Sequence, residues 1–138
     1  MRLRKNAKVD LLEAVPLFSS CSKAELQRIA SLADELDLAE GATLIREGER
    51  GREFLVIVDG TVRVTKHGKK VRDLRAGDFI GEIALVSDVP RTATVTATSP
   101  VRLLVITDRA FRGLIEEMPS IATKVLQSLG ERLHSDAV

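Results

Sequence analysis

Catalysis needs side chains that can converge on one point, and this sequence supplies few. It has two histidines, one cysteine, no tryptophan and no tyrosine. His67 lies in KHGK, a stretch with the composition of a hairpin turn, and His134 lies near the C-terminus. Neither has a cysteine or a second histidine at the spacing of a metal site. Cys21 precedes a helix-start signal, where a thiol pKa can fall. No base stands near it in the sequence, so a structural role is expected. GDFIGE is too short, and lacks the lysine, for a nucleoside-triphosphate or dinucleotide loop.

The stretch that could do chemistry is FIGEIALVSDVPRTATV, residues 79–95. Gly81 lets the backbone approach a ligand closely. EIALVS is long enough for one or two helical turns, whose first N–H groups would seat an anionic oxygen. Arg91 could add a bidentate fork to the same anion. Glu82, an acceptor-only carboxylate, suits a sugar hydroxyl rather than a phosphate. A ligand with one phosphate charge and one ribose hydroxyl would use both groups. The alternative is local: Glu82 steadies its own helix start, and Arg91 pairs with Glu82 or with Asp88. Spacing alone leaves both open.

Three regions must position these residues. Residues 1–33 have helical spacing, interrupted at Pro16. Ser22 and Glu25 form a capping box, and Leu26, Ile29, Ala30 and Ala33 make one apolar stripe. Over 34–106 the period falls to two, in short β-branched runs closed by glycine or small polar residues. Val62 and Val64 alternate with Thr61, Arg63 and Thr65, and Ala93, Val95 and Ala97 with Thr92, Thr94 and Thr96. EFLVIV is apolar on both faces and is expected to be the most buried strand. Helical spacing returns over 107–138. Phe111, Leu114 and Ile115 share one side, and Pro119 opens a new helix. There Ile121, Val125, Leu126, Leu129 and Leu133 are expected on one face, with Lys124, Gln127, Glu131 and Arg132 on the other. Gly130 weakens that helix. The predicted architecture is α+β but mainly β: one domain, 1–138, built as a β-roll of jelly-roll type between N- and C-terminal helices.

Bulk properties narrow the function classes. The chain has 138 residues, enough for one ordinary domain. Its 21 basic and 20 acidic side chains leave a formal charge of +1. That gives no overall field for nucleic acid, and no direct nucleic-acid binding is expected. A single cysteine permits no intrachain disulfide. No apolar run approaches the ~20 residues of a membrane helix. The basic N-terminus lacks the apolar segment of a signal peptide, so a cytoplasmic location is expected.

GDFIGEIALVSDVPRTATVTA closely resembles the phosphate-binding cassette of cyclic nucleotide-binding domains, found in catabolite-activator-type regulators, cyclic nucleotide-dependent kinases and gated channels. The likeness continues upstream through LIREGERGREFLVIVDGTVRVT and downstream through VRLLVITDRAF. It implies a non-enzymatic receptor whose ligand is cAMP or, as second choice, cGMP, with no other cofactor and no metal. By position, Arg91 would hold the exocyclic phosphate oxygens and Glu82 the ribose 2′-hydroxyl. Gly81, Ile83 and Ala84 would offer backbone groups, while the Thr92 side chain and the Ala93 backbone complete the phosphate and base-edge contacts. Val64 and Val71 match positions lining the base pocket, with ordinary core packing as the alternative. Threonine after the arginine is frequent in cGMP-selective kinase domains, yet bacterial cAMP receptors also carry a hydroxyl there. Family regulators continue into a DNA-binding domain, but only SDAV follows His134 here. The chain thus reads as a free-standing sensor, signalling by rearrangement of its C-terminal helix to an unknown protein effector or through a homodimer made by that helix. Two alternatives are a dimerisation or interaction module of the same fold that binds no ligand, and, more remotely, a cupin-like barrel enzyme. The enzyme would need histidines that the strands lack.

Overall fold

A computed structural model describes residues 3–136, with side chains as far as residue 131. In chain order the elements are α1 (Lys5–Glu13), a 3₁₀ turn (Pro16–Phe18), α2 (Lys23–Ala30), β1 (Asp34–Leu38), β2 (Thr43–Ile45), β3 (Glu53–Asp59), β4 (Thr61–Lys66), β5 (Lys69–Arg75), β6 (Phe79–Ile80), a 3₁₀ turn (Glu82–Leu85), β7 (Thr94–Ala97), β8 (Val101–Thr107), α3 (Asp108–Glu117) and α4 (Pro119–Asp136). They group into two compact units: Asp34–Arg109, and Met1–Ala33 together with Ala110–Val138.

The first unit is the β-roll. Its strands form two four-stranded antiparallel sheets, ordered β1-β8-β3-β6 and β2-β7-β4-β5. β3 and β8 are interior strands paired through Leu55–Val105 and Val56–Leu104. Phe54, Leu55, Val56 and Ile57 are all buried, so β3 is covered on both faces, as its unbroken apolar run requires. Period-two spacing places Ile45, Val62, Val64, Val95, Ala97 and Leu103 together with Leu55 and Ile57 in one apolar core. Thr61 and Arg63, alternating with the inward Val62 and Val64 of β4, stay exposed. His67 and Gly68, at φ 51° and 77°, make the tight turn of the β4–β5 hairpin, since a two-residue turn with both φ positive matches the twist of the strands it joins.

In the second unit the capping box is present: Ser22 Oγ accepts from the Glu25 N–H at 3.2 Å and Glu25 Oε1 accepts from the Ser22 N–H at 2.8 Å. The stripe Leu26, Ile29, Ala30 and Ala33 is buried. Phe18 and Phe111, both fully buried, pack with ring centroids 5.9 Å apart and planes tilted by 44°. Glu25 also reaches α4, where the Lys124 ammonium and, at 2.7 Å, the Ser120 hydroxyl donate to its carboxylate. Burial pushes the Glu25 carboxyl up. Lys124, Ser22 and Ser120 more than offset this and hold it down at about 2.

The buried face of α4 differs from the expected one. Ile121, Val125 and Ser128 are buried and Leu129 is partly so, but Leu126 is 68% exposed. Positions 121, 125 and 128 follow the helical period, and Leu126 is rotated about 100° from Val125. Lys124, expected on the solvent side, turns to Glu25. The Leu133 side chain lies outside the described residues. Cys21, for which a structural role is expected, shows no lowering of its thiol pKa. Burial first, then the Glu25 carboxylate, push its thiol up to about 11, against a smaller opposing effect of Lys124. Its place before the helix does not activate it. Among the described residues no helix is long and apolar enough to cross a membrane.

Candidate functional site

Gly81 ends β6 and opens the 3₁₀ turn with φ 78° and ψ 26°, a left-handed conformation that side chains resist. That bend drives Glu82 inward. Its residue is only 5% exposed although it bears a carboxylate. Glu82 is engaged within the protein, yet its Oε2 atom is buried with no hydrogen-bond donor on it among the described residues. The turn also buries Ala84 and Leu85 and leaves Ile83 exposed. The Ala84 N–H closes the turn on the Gly81 carbonyl at 3.0 Å, and the Ile83 carbonyl accepts from Val86 and Ser87.

Arg91 comes back to this turn from the loop before β7. Its side chain is half-buried, and desolvation lowers the guanidinium pKa, partly countered by the charge of Glu53. Nη2 donates to the carbonyl oxygen of Glu53. The guanidinium lies against two glycines. A Cβ on Gly81 would fall 2.1 Å from Nη1, and one on Gly51 would fall 2.6 Å from Nε and 2.8 Å from Cζ. Gly81 therefore connects the two residues of interest, bonded to Glu82 on one side and covered by Arg91 on the other. The local ion pair that spacing allowed for Arg91 does not form. Asp88 pairs instead with Arg50 at 2.6 Å, and Arg91 makes its hydrogen bond to a neutral carbonyl.

A second segment completes the site; it lies within the upstream resemblance, although none of its residues is singled out there as a site residue. Residues 47–53, leading from β2 into the first residue of β3, run alongside the Arg91 loop. The Arg91 N–H donates to the Glu49 carbonyl at 2.7 Å, the Gly48 N–H donates to the Arg91 carbonyl at 2.8 Å, and Arg50 bridges to Pro90. The Glu47 N–H donates to Thr94 Oγ1 at 3.0 Å. Gly51 and the Glu53 carbonyl went unread because a glycine among charged residues has no periodicity to mark it.

The remaining candidates divide. Thr92 is exposed and Ala93 packs partly against the roll core. Val64 is 8% exposed within that core, whereas Val71 is 54% exposed, so core packing does not account for Val71. The reason is a β-bulge. Val64 pairs with Arg72 and Thr65 with Lys70, which leaves Val71 as the extra residue of β5, turned out of the alternation. No group of three or more metal-ligating side chains occurs among the described residues.

Comparison with known proteins agrees with this geometry. A family model described as the cyclic nucleotide-binding domain matches residues 35–118. The cAMP-dependent protein kinase regulatory subunit of Mycosarcoma maydis is 41% identical over 116 residues, covering 78% of this chain and 22% of the relative. The chain spans about a quarter of the length of the kinase regulatory subunits it matches. The N-terminal domain of a transcriptional regulator from Streptomyces coelicolor superposes with a TM-score of 0.85 at 28% identity, over 91% of this chain and 94% of that one. The regulatory domain of Toxoplasma gondii PKA, in co-crystal with cAMP, superposes with a TM-score of 0.73 at 25% identity, over 93% of this chain and 50% of that one. With the roll, the turn at Gly81 and the returning arginine already in place, the chain belongs to the cyclic nucleotide-binding domain family.

Proposed function

We propose that this chain is the sensing module of a signalling protein and binds a 3′,5′-cyclic nucleotide, cAMP before cGMP, on residues 79–95. The observation that carries the proposal is Arg91. A cation partly stripped of water, held on two glycines beside the buried Glu82, favours an anion that can replace its lost hydration. The cyclic phosphate is that anion. Its exocyclic oxygens accept from Arg91, and the ribose 2′-hydroxyl donates to Glu82. Gly81, Ile83 and Ala84 line the sugar-phosphate with backbone groups, while the Thr92 hydroxyl and the Ala93 backbone close the far side. The exposed Val71 and the neighbouring Val64 offer apolar surface to the base. cAMP ranks first because kinase regulatory subunits that match this chain are named for it.

The response is a shift in the position of α4, passed to a protein partner and not to a reaction. Leu126, exposed on that helix, offers the apolar contact. For this to work as a switch, the nucleotide must bind one placement of α4 better than another. Thermal unfolding with and without cAMP and cGMP is the test. Ligand at 100 times its dissociation constant adds about 2.7 kcal/mol of stability, and an unmoved midpoint with millimolar cAMP and cGMP would refute the proposal.

A further inference from the structure

We propose that Gly51, on the strap 47–53, is a positioning residue for Arg91: it sets where the guanidinium meets the anionic group of the ligand, without touching the ligand itself. The inference rests on the reading of Arg91 as the phosphate-binding group. Gly51 is buried and its φ lies outside the left-handed region, so alanine suits its backbone as well as glycine does. What alanine does not suit is the space. Its Cβ would stand 2.6, 2.8 and 2.9 Å from Nε, Cζ and Cδ of Arg91, with no other atom as near. Real Cβ contacts do not come so close, so the arginine must leave its seat and give up the Glu53 carbonyl.

The strap is built to hold that geometry. The two backbone bonds joining Gly48 and Glu49 to Arg91 fix the main chain of the arginine. The Arg50–Asp88 pair and the Arg50–Pro90 bridge fix the loop before it. The side chain then passes over Gly51 to its carbonyl acceptor. Main chain, loop and guanidinium are all registered against one seven-residue segment.

The experiment is a double-mutant cycle on cyclic nucleotide affinity with Gly51→Ala, Arg91→Ala and the combined variant, with the melting temperature of each apo protein measured alongside. Gly51→Ala should fold and weaken binding by about tenfold to a hundredfold, the worth of a charge-assisted hydrogen bond. In the Arg91→Ala background it should change nothing, because the group it displaces is gone. Unchanged affinity of Gly51→Ala in a parent that binds would overturn the inference. So would an equal loss in both backgrounds, which would mean that Gly51 acts by another route. A parent that binds neither nucleotide would instead remove the proposed function. Should Gly51→Ala fail to fold, the exposed Arg50–Asp88 pair gives an independent arm. Arg50→Glu should weaken binding by about two- to fivefold, and adding Asp88→Arg should restore it. A loss that the swap does not restore, or no loss at all, contradicts the strap.

Discussion

Arg91 is a cation that its own fold partly desolvates and, among the described residues, meets with the carbonyl oxygen of Glu53. Truncation to alanine should leave the apo protein as stable as the parent or slightly more so, since a half-buried charge is relieved. It should also abolish the nucleotide-induced rise in melting temperature. Glu82 makes a complementary prediction. If its carboxylate takes the ribose hydroxyl, 2′-deoxy-cAMP should bind the parent about tenfold or more weakly than cAMP. Glu82→Ala should bind the two ligands equally, and a calorimetric titration of each pair measures both ratios. Cys21 sits at the opposite extreme of reactivity. With its thiol pushed up to about 11 by burial and by Glu25, it carries almost no thiolate at neutral pH. Alkylation by iodoacetamide at pH 8 should run at least about tenfold slower than for free cysteine, and should accelerate as the pH approaches 11.

At the scale of elements, the Glu25 carboxylate ties α2 to α4. Its folded pKa of about 2 lies below that of an unfolded glutamate, ~4.3. The stability it contributes is therefore complete above that value and is lost as pH falls toward 2. Asp37, lowered by Arg102, and Asp73, lowered by Lys70 and Arg63, act in the same direction. The difference between parent and Glu25→Gln isolates the clamp. The variant should be less stable at pH 7 by about 1–2 kcal/mol, because Glu25 is buried but the Lys124 ammonium it leaves behind is 32% exposed and can hydrate. The gap should narrow as pH is lowered from 4.5 toward 2, as read by denaturant titration. On α4 itself, Ile121→Ala should cost about 2–5 kcal/mol, while Leu126→Glu should alter stability by no more than about 0.5 kcal/mol. Sequence reading found the capping box of α2 because both partners lie within one turn. It missed the second role of Glu25 because Lys124 and Ser120 lie about a hundred residues along the chain. It also put Leu126 inside: apolar residues at 121, 125, 126 and 129 span a wider arc than the helix buries.

For the molecule as a whole, the alternation of valines and threonines was enough to mark the roll, whose strands run from Asp34 to Thr107. A period of two fixes which face a residue takes, so Val62 and Val64 share one face, as do Val95 and Ala97, and the fold turns both faces into the core. The pattern could not foresee the bulge at Val71, where one extra residue breaks the period, or the strap at 47–53, which has no period to read. The cassette was legible as a string, and its floor was not. Gly81 could be singled out by its neighbours, whereas Gly51 matters only because Arg91 folds back over it from forty residues away. The central claim is that the two glycines, Arg91 and Glu82 make one seat for a cyclic nucleotide. Isothermal titration of the intact chain with cAMP, beside the same titration of Arg91→Ala, tests it most directly. The account predicts saturable one-to-one binding to the parent and a loss of at least about a hundredfold in the variant. Equal affinity for both proteins, or no heat from the parent at millimolar cAMP or cGMP, would contradict it.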